Sequence, residues 1–235
     1  VNLSSCVDLE PEPLSFFAPE NTFMDKEGLE ALLITSRKQI KWEWFGDAFN
    51  AGYCETPLVY EYAWSDVSVM GAPEVKEIQN LETQLTPTTS MALHLRFWDL
   101  AWNGIKYANT VISRVPKSTI DNETDKNELL AEGYFHRAYW YYLLVNQWGD
   151  VPLLLEEITE PKLDFYTVSR MKILQQMKTD MEFAVKWLPK NVKPGCVNRA
   201  AGEHLLAKIY LSTGDFQLAV AATTRCIYDY GLHMM

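Results

Sequence analysis

Aromatic residues with acidic and amide neighbours are concentrated in one irregular stretch of the chain. Its rings could stack on the apolar face of a sugar, while its polar side chains could hydrogen-bond the sugar hydroxyls. The candidate ligand-binding residues are Trp42, Trp44, Tyr53, Tyr62, Trp64 and Asp66, with Asp47 and Asn50 beside them. Such a combination is the device expected of a sugar-binding surface. The alternative is that the same rings pack this stretch against the rest of the protein.

The surrounding region, residues 46–90, has no sustained period of apolar residues. It contains the breakers Gly46, Gly52, Pro57, Gly71, Pro73 and Pro87. Tyr60, Tyr62 and Trp64 alternate as in a short extended strand. A long loop that is this rich in aromatic residues is usually ordered and functional.

Residue types that serve in catalytic and metal sites are scattered along the chain. The histidines are His94, His136, His204 and His233. They form no His-Glu-x-x-His motif, and the chain has neither a Gly-x-Ser-x-Gly elbow nor a Gly-rich phosphate loop. The adjacent Glu156 and Glu157 favour a solvated turn over a glycosidase pair. We therefore expect no catalytic residue, no metal and no cofactor.

The cysteines point to lipidation and to free thiols. Leu3 to Cys6 resembles a bacterial lipobox with Cys6 as the lipid acceptor, and an acidic, Pro-containing tether follows it. Cys196 and Cys226 are interpreted as buried free thiols. Whether Cys54 pairs with either of them stays open. The expected organisation is a lipoprotein start and tether at 1–19, then one helical domain at 20–235.

Composition limits the function classes. The chain has 235 residues, is 48% hydrophobic and carries a net charge of −10. That charge argues against binding to nucleic acid phosphates or to anionic membrane surfaces. No apolar run reaches the roughly 18 residues that a membrane span needs.

The helix on which the other helices are expected to pack begins near Leu129 and ends at Gly149. Its apolar residues recur at helical spacing, and extra rings at 139–141 leave little of its circumference polar, so we expect it to be buried on most sides. Asp125 and Glu128 have the spacing of a capping box at its start. Gly133 costs about 1 kcal/mol of helix propensity relative to Ala or permits a close helix crossing.

Five further helices are predicted around this one. They run from about Glu20 to Gly46, Ser90 to Val115, Thr167 or Ser169 to Leu188, Ala200 to Ser212, and Asp215 to Tyr230. The last two fit a tetratricopeptide (TPR) helix pair, in which Tyr210 and Phe216 wedge between helices as core residues. The region between Gly149 and Thr167 is expected to be extended. The predicted fold is all-α (mainly α): TPR-like helix pairs in an α-α superhelix, with long aromatic-rich loops and up to two short strands.

Two adjoining runs resemble the signature of the SusD/RagB family. They are Ala131–Tyr142, AEGYFHRAYWYY, and Trp148–Leu153, WGDVPL. Further segments match the family in the same order: Cys6–Glu12, Pro19–Phe23, Trp98–Ile112, Val168–Pro189 and Ala200–Asp215. The resemblance therefore covers nearly the whole chain.

The resemblance implies an outer-membrane lipoprotein of Bacteroidetes that faces outward and is not an enzyme. Such proteins form a lid on a TonB-dependent transporter of the SusC type and deliver glycans to it, or peptides in the RagB branch. Because family chains are much longer, this chain is expected to be an N-terminal portion that holds only part of the ligand site. A TPR scaffold that binds only proteins is the alternative from another class, and a glycoside hydrolase is a more distant one.

Overall fold

The computed structural model describes residues 23–45 and 92–230, with side chains for all of them except Phe45 and residues 92–96. Its elements in chain order are α1 (Lys26–Phe45), α2 (Ala92–Arg114), a 3-10 turn (Val115–Lys117), α3 (Glu123–Gln147), β1 (Val151–Pro152), β2 (Thr167–Val168), α4 (Arg170–Trp187), α5 (Arg199–Thr213) and α6 (Phe216–Tyr228). The described part of the chain is thus six α-helices and one two-stranded sheet, which confirms the predicted fold class.

Helix α3 lies at the centre of the helical array and contacts α1, α2, α4 and α5. Trp140, Tyr141 and Leu144 are fully buried, and Phe135 and Val145 are nearly so. An aromatic helix that is enclosed on most sides was the prediction for this stretch, and it is confirmed. Burial of such large side chains contributes about 1.5–3 kcal/mol each, so α3 contributes strongly to the stability of the core.

The start of α3 differs from the predicted capping box. Asn122 is the N-cap, and its side-chain oxygen accepts hydrogen bonds from the backbone amides of Thr124 (2.8 Å) and Asp125 (3.5 Å). Asp125 lies inside the first turn and pairs with Lys26 of α1 at 3.0 Å. The prediction was wrong because an N-cap oxygen must precede the first helical residue, where Asn122 already supplies it.

The end of α3 is the turn that the sequence predicts. Gly149 has a φ of +74°, in the left-handed region that glycine adopts without strain. Asp150 Oδ1 then accepts a hydrogen bond of 2.8 Å from the backbone amide of Arg170, at the start of α4. Strands β1 and β2 pair antiparallel, Val151 with Val168 and Pro152 with Thr167. The non-helical residues between them are therefore held together at their base.

Helices α5 and α6 form the predicted TPR-like pair, closed by Gly214 at a φ of +83°. Tyr210 is buried as predicted, and its hydroxyl donates to Glu182 Oε1 at 3.0 Å. Phe216, which was predicted to be a core wedge, is 63% exposed. The buried face of α6 consists of small residues, among them Ala219 and Ala222. They bring α6 close to α5 and leave no room for a ring between the two helices.

Two of the four cysteines lie in the described part of the chain. Cys196 and Cys226 are free thiols as predicted, although only Cys226 is buried. Cys6 and Cys54 lie outside the described residues, as does the strand predicted around Tyr62. Within the described helices, no segment has the length and apolarity of a membrane span.

Candidate ligand-binding cavity

The central polar group of the fold is the buried Arg137 of α3. Its Nε and Nη2 donate to the two carboxylate oxygens of Asp180 in α4, at 2.7 and 3.0 Å. Its Nη1 donates to Asn109 Oδ1 in α2 (3.1 Å) and to the carbonyl of Leu155 (2.8 Å). The amide of Asn109 in turn donates to the carbonyl of Leu154 at 3.0 Å. One guanidinium therefore joins three elements and fixes the residues that follow β1.

Tyr141, one helical turn after Arg137, holds the same residues from the other side. Its hydroxyl oxygen accepts a 2.6 Å hydrogen bond from the backbone amide of Leu154. It lies 3.2 Å from the carbonyl oxygens of both Pro152 and Leu154, to either of which it can donate. Burial raises the pKa of this phenol well above its usual range, so it keeps its proton.

A third anchor lies further along the loop, at Glu157. Its carboxylate accepts two hydrogen bonds from Arg114 at the end of α2, at 2.7 and 2.9 Å. Its backbone amide donates to the hydroxyl of Ser113 at 3.0 Å. The prediction of a solvated turn for Glu156 and Glu157 therefore holds for the exposed Glu156 alone. Glu157 is committed to holding the loop against α2.

A cavity of about 540 Å³ lies between α2 and this anchored loop. Its volume is in the range of small-molecule sites. Its lining is mainly apolar with a few polar side chains: Trp98, Trp102, Ile105, Lys106, Asn109, Thr110, Pro152, Leu154, Glu156, Glu157, Ile158 and Phe165. An apolar recess with a small number of polar groups is the usual composition of a binding site.

Two tryptophans of α2 form the aromatic wall of the cavity. Trp98 and Trp102 are one turn apart and meet edge to face, with ring centroids 5.4 Å apart. Trp148 contacts Trp98 at 5.2 Å, and Tyr141 contacts Trp102 at 6.0 Å, both edge to face. Because both tryptophans are held by rings of α3 and its C-cap, the wall is formed before any ligand arrives, which lowers the entropic cost of binding.

The polar residues of the lining differ in what they can still bind. Asn109 and Glu157 already make the hydrogen bonds given above, and the hydroxyl of Thr110 donates to the carbonyl of Lys106 at 3.0 Å. Among the described residues, Lys106 and Glu156 have no charged partner within 4 Å. These two side chains are free to bind a ligand.

A second buried polar group joins α1 to α3 and lies apart from the cavity. Arg37 Nη2 donates to Glu132 Oε2 at 2.8 Å, and His136 Nε2 lies 3.4 Å from Glu132 Oε1. Burial by itself favours the neutral form of Glu132. Hydrogen bonds from His136 and Arg37 outweigh it, so the pKa of Glu132 lies below its usual value. The role of this buried group is to hold α1 and α3 together.

The predicted ligand-binding residues are placed only in part. Trp42 is half-buried against the core, with Lys38 Nζ 5.7 Å from its ring centre, which favours the packing alternative for this residue. Trp44 is 47% exposed, and its Nε1 donates to the hydroxyl of Tyr139 at 3.3 Å. Neither lines the cavity. The remaining candidates lie outside the described residues: Tyr53, Tyr62, Trp64, Asp66, Asp47 and Asn50.

The cavity residues of α2 were not predicted to form a binding site, because Trp98 recurs with the apolar residues that form the core face of its helix. The signal was present in the spacing of Trp98, Trp102, Lys106 and Asn109 along one face of α2. A face with two large rings followed by a charge and an amide is neither a core stripe nor an ordinary solvated face. Its partner, the loop after β1, is 43–45 residues away in sequence, so spacing alone does not reveal the cavity.

Comparison with known proteins gives a consistent result. A family model described as "Starch-binding associating with outer membrane" (SusD-like) matches residues 50–211, more than half of the chain. The SusD-like protein P2 of Formosa agariphila is 27% identical over 224 residues, which are 93% of this chain and 42% of that protein.

Two solved structures share the fold. A SusD superfamily protein of Bacteroides vulgatus superposes with a TM-score of 0.78 at 20% identity, over 91% of this chain and 46% of that one. A laminarin-binding SusD-like protein superposes with a TM-score of 0.70 at 19% identity, over 89% and 46% of the two chains. The chain thus spans less than half the length of these relatives. From the family match over residues 50–211, which confirms the resemblance found in the sequence, the chain belongs to the SusD-like family.

Proposed function

We propose that this chain is part of a cell-surface lipoprotein that binds an oligosaccharide and passes it to a TonB-dependent transporter of the SusC type. The observation that carries the proposal is the cavity between α2 and the loop after β1, with its fixed wall of Trp98 and Trp102. SusD-like proteins bind carbohydrate and are not enzymes, and one structural relative is described as binding laminarin. Indole rings stack on the apolar faces of sugars, which suits this wall to a glycan.

The proposed organisation has two parts, a lipidated tether and a helical domain. Cys6 carries the lipid, residues 1–19 form the tether, and residues 20–235 form the helical domain. The aromatic segment from Trp42 to Asp66 remains a proposed contributor to ligand binding. Trp44 supports this, because it exposes part of its ring while Tyr139 fixes its indole nitrogen.

Replacing Trp102 by alanine in the full-length protein is expected to weaken oligosaccharide binding about fivefold or more, because a stacked ring contributes about 1 kcal/mol beyond its burial. Isothermal titration against laminari- and malto-oligosaccharides measures this loss. Trp102→Phe keeps a ring in place and should retain most of the affinity. Thermal unfolding of each variant checks that the helices remain folded.

The matched control for this experiment is Phe216→Ala, which removes an exposed ring of α6 that does not line the cavity. Trp44→Ala tests the proposed contribution of the segment from Trp42 to Asp66. If Trp102→Ala keeps full affinity and Trp44→Ala loses affinity, the ligand binds at the segment from Trp42 to Asp66 and not in the cavity. Binding of peptides in place of glycans would favour a RagB-type function. Absence of binding to either class would leave the TPR scaffold as the better explanation.

The lipid and the transporter are tested together. With its complete signal peptide, the wild-type protein is expected to be found in the outer-membrane fraction and to co-purify with a TonB-dependent barrel. Cys6→Ala should release it from the membrane, because the acyl chains supply its attachment; Cys196→Ala, which changes an unlipidated thiol, should not. Retention of Cys6→Ala in the membrane fraction of cells that lack the barrel would contradict the lipidation proposal.

A further inference from the structure

We propose that Glu156 makes the cavity selective for uncharged sugars over anionic ones such as uronic acids, with Lys106 as the second polar contact. This inference rests on the proposed function, since it assigns a specificity to the same cavity. It starts from the two charged lining residues, Lys106 and Glu156, that no charged neighbour among the described residues neutralises.

The two side chains demand different groups from a ligand. A carboxylate only accepts hydrogen bonds, whereas a lysine ammonium only donates them. Sugar hydroxyls can satisfy both side chains, because a hydroxyl can donate to Glu156 and another can accept from Lys106. An ionised carboxylate or sulfate on the ligand has no proton to donate to Glu156, so the two anionic groups repel each other.

The surrounding charges do not cancel the repulsion between Glu156 and an anionic ligand. Glu157 is neutralised locally by its two hydrogen bonds to Arg114. Lys162, the nearest cation along the loop, pairs with Asp164 at 3.7 Å. Glu160 adds a further exposed carboxylate to the loop, and the whole chain carries a net charge of −10. Lys106 is therefore the one lining cation within the described cavity that could attract an anion.

The mainly apolar lining of the cavity strengthens the repulsion between Glu156 and an anionic sugar. Trp102, Ile105 and Leu154 line the same cavity as the exposed Lys106 and Glu156. Coulomb interactions between charges a few ångströms apart are several times stronger beside protein than in bulk water. A single carboxylate at the mouth can therefore separate neutral from anionic glycans by about an order of magnitude in affinity.

The test compares laminarihexaose and maltohexaose with hexagalacturonate, each titrated into the full-length protein at the same ionic strength. The wild type is expected to bind a neutral hexasaccharide at least about tenfold more tightly than hexagalacturonate. Glu156→Gln, which keeps an acceptor but removes the charge, should narrow that ratio to about threefold or less. Glu156→Lys should bring the two ligands to equal affinity or reverse their order.

Glu160→Gln is the matched control, because it removes one exposed carboxylate from the same loop but does not line the cavity. It should leave the ratio of affinities unchanged. Equal binding of the neutral and anionic ligands by the wild type, or an unchanged ratio in Glu156→Gln, would overturn the inference while leaving carbohydrate binding intact. Failure of the wild type to bind any of the three sugars would instead overturn the proposed function together with the selectivity that rests on it.

Discussion

Replacing Arg137 by alanine is expected to lower the free energy of unfolding by about 3–5 kcal/mol, because it leaves the buried carboxylate of Asp180 without its charged partner. The neutral amide of Gln176, which donates to Asp180 Oδ1 at 3.0 Å, would remain. The side chains of Arg137 and Asp180 are only 4% and 3% exposed. The carbonyl of Leu155 and the amide oxygen of Asn109 would lose their donor as well. Urea unfolding followed by circular dichroism measures the change.

Two comparisons separate this network from an ordinary ion pair. Lys26→Ala removes the partner of Asp125 in a pair whose side chains are 48% and 28% exposed, and it should cost no more than about 1 kcal/mol. The double replacement Arg137→Met with Asp180→Leu removes both charges and should recover part of the stability that Arg137→Ala loses. A loss of under 1 kcal/mol in Arg137→Ala would show that Asp180 finds water or another donor.

The same replacement should also affect the cavity. Arg137 holds the carbonyl of Leu155, and Asn109, which it orients, holds the carbonyl of Leu154. Without Arg137 the loop would keep its anchors at Tyr141 and Glu157 but would be held less firmly opposite Trp102. Residual oligosaccharide affinity in a folded Arg137 variant should therefore be lower than in the wild type.

The helices could be predicted from the sequence because their signals are local. The apolar period of α3, the breaker at Gly149 and the small residues of α5 and α6 each lie within one or two helical turns. Even so, Asn122 was overlooked as the N-cap, since Asp125 with Glu128 imitates a capping box three residues later.

The site could not be predicted in the same way because it depends on contacts between distant residues. Arg137 reaches Asp180 across 43 residues and Asn109 across 28, and only the folded chain shows that these three belong together. The sequence marked Arg137 as part of a family signature without giving its physical role. That role is to position the loop that closes the cavity over Trp98 and Trp102.

Helices α2 and α3 also cross at Gly104. Adding a single methyl group there should lower the free energy of unfolding about as much as removing the Arg137 side chain. A β-carbon built on Gly104 would overlap the indole ring of Trp140, which is fully buried. Trp140 cannot withdraw, because Phe97 and Tyr139 pack against it with ring centroids 6.4 and 5.2 Å away. The helices can approach this closely only while position 104 lacks a side chain.

Gly104→Ala is accordingly expected to destabilise the protein by about 3 kcal/mol, even though alanine improves helix propensity by about 1 kcal/mol. Gly133→Ala is the matched control in α3: its methyl group would lie 3.1 Å from Ile112 Cγ1, a contact that a small side-chain shift relieves. Its crowding and its gain in propensity should nearly cancel, so stability should change by less than about 1 kcal/mol.

The double variant Gly104→Ala with Trp140→Phe should recover part of the stability that Gly104→Ala loses. The smaller ring makes room for the methyl group, and the Nε1 of Trp140 has no hydrogen-bond partner to lose. Equal stabilities of Gly104→Ala and Gly133→Ala in urea unfolding would show that α2 and α3 can separate at this crossing without cost.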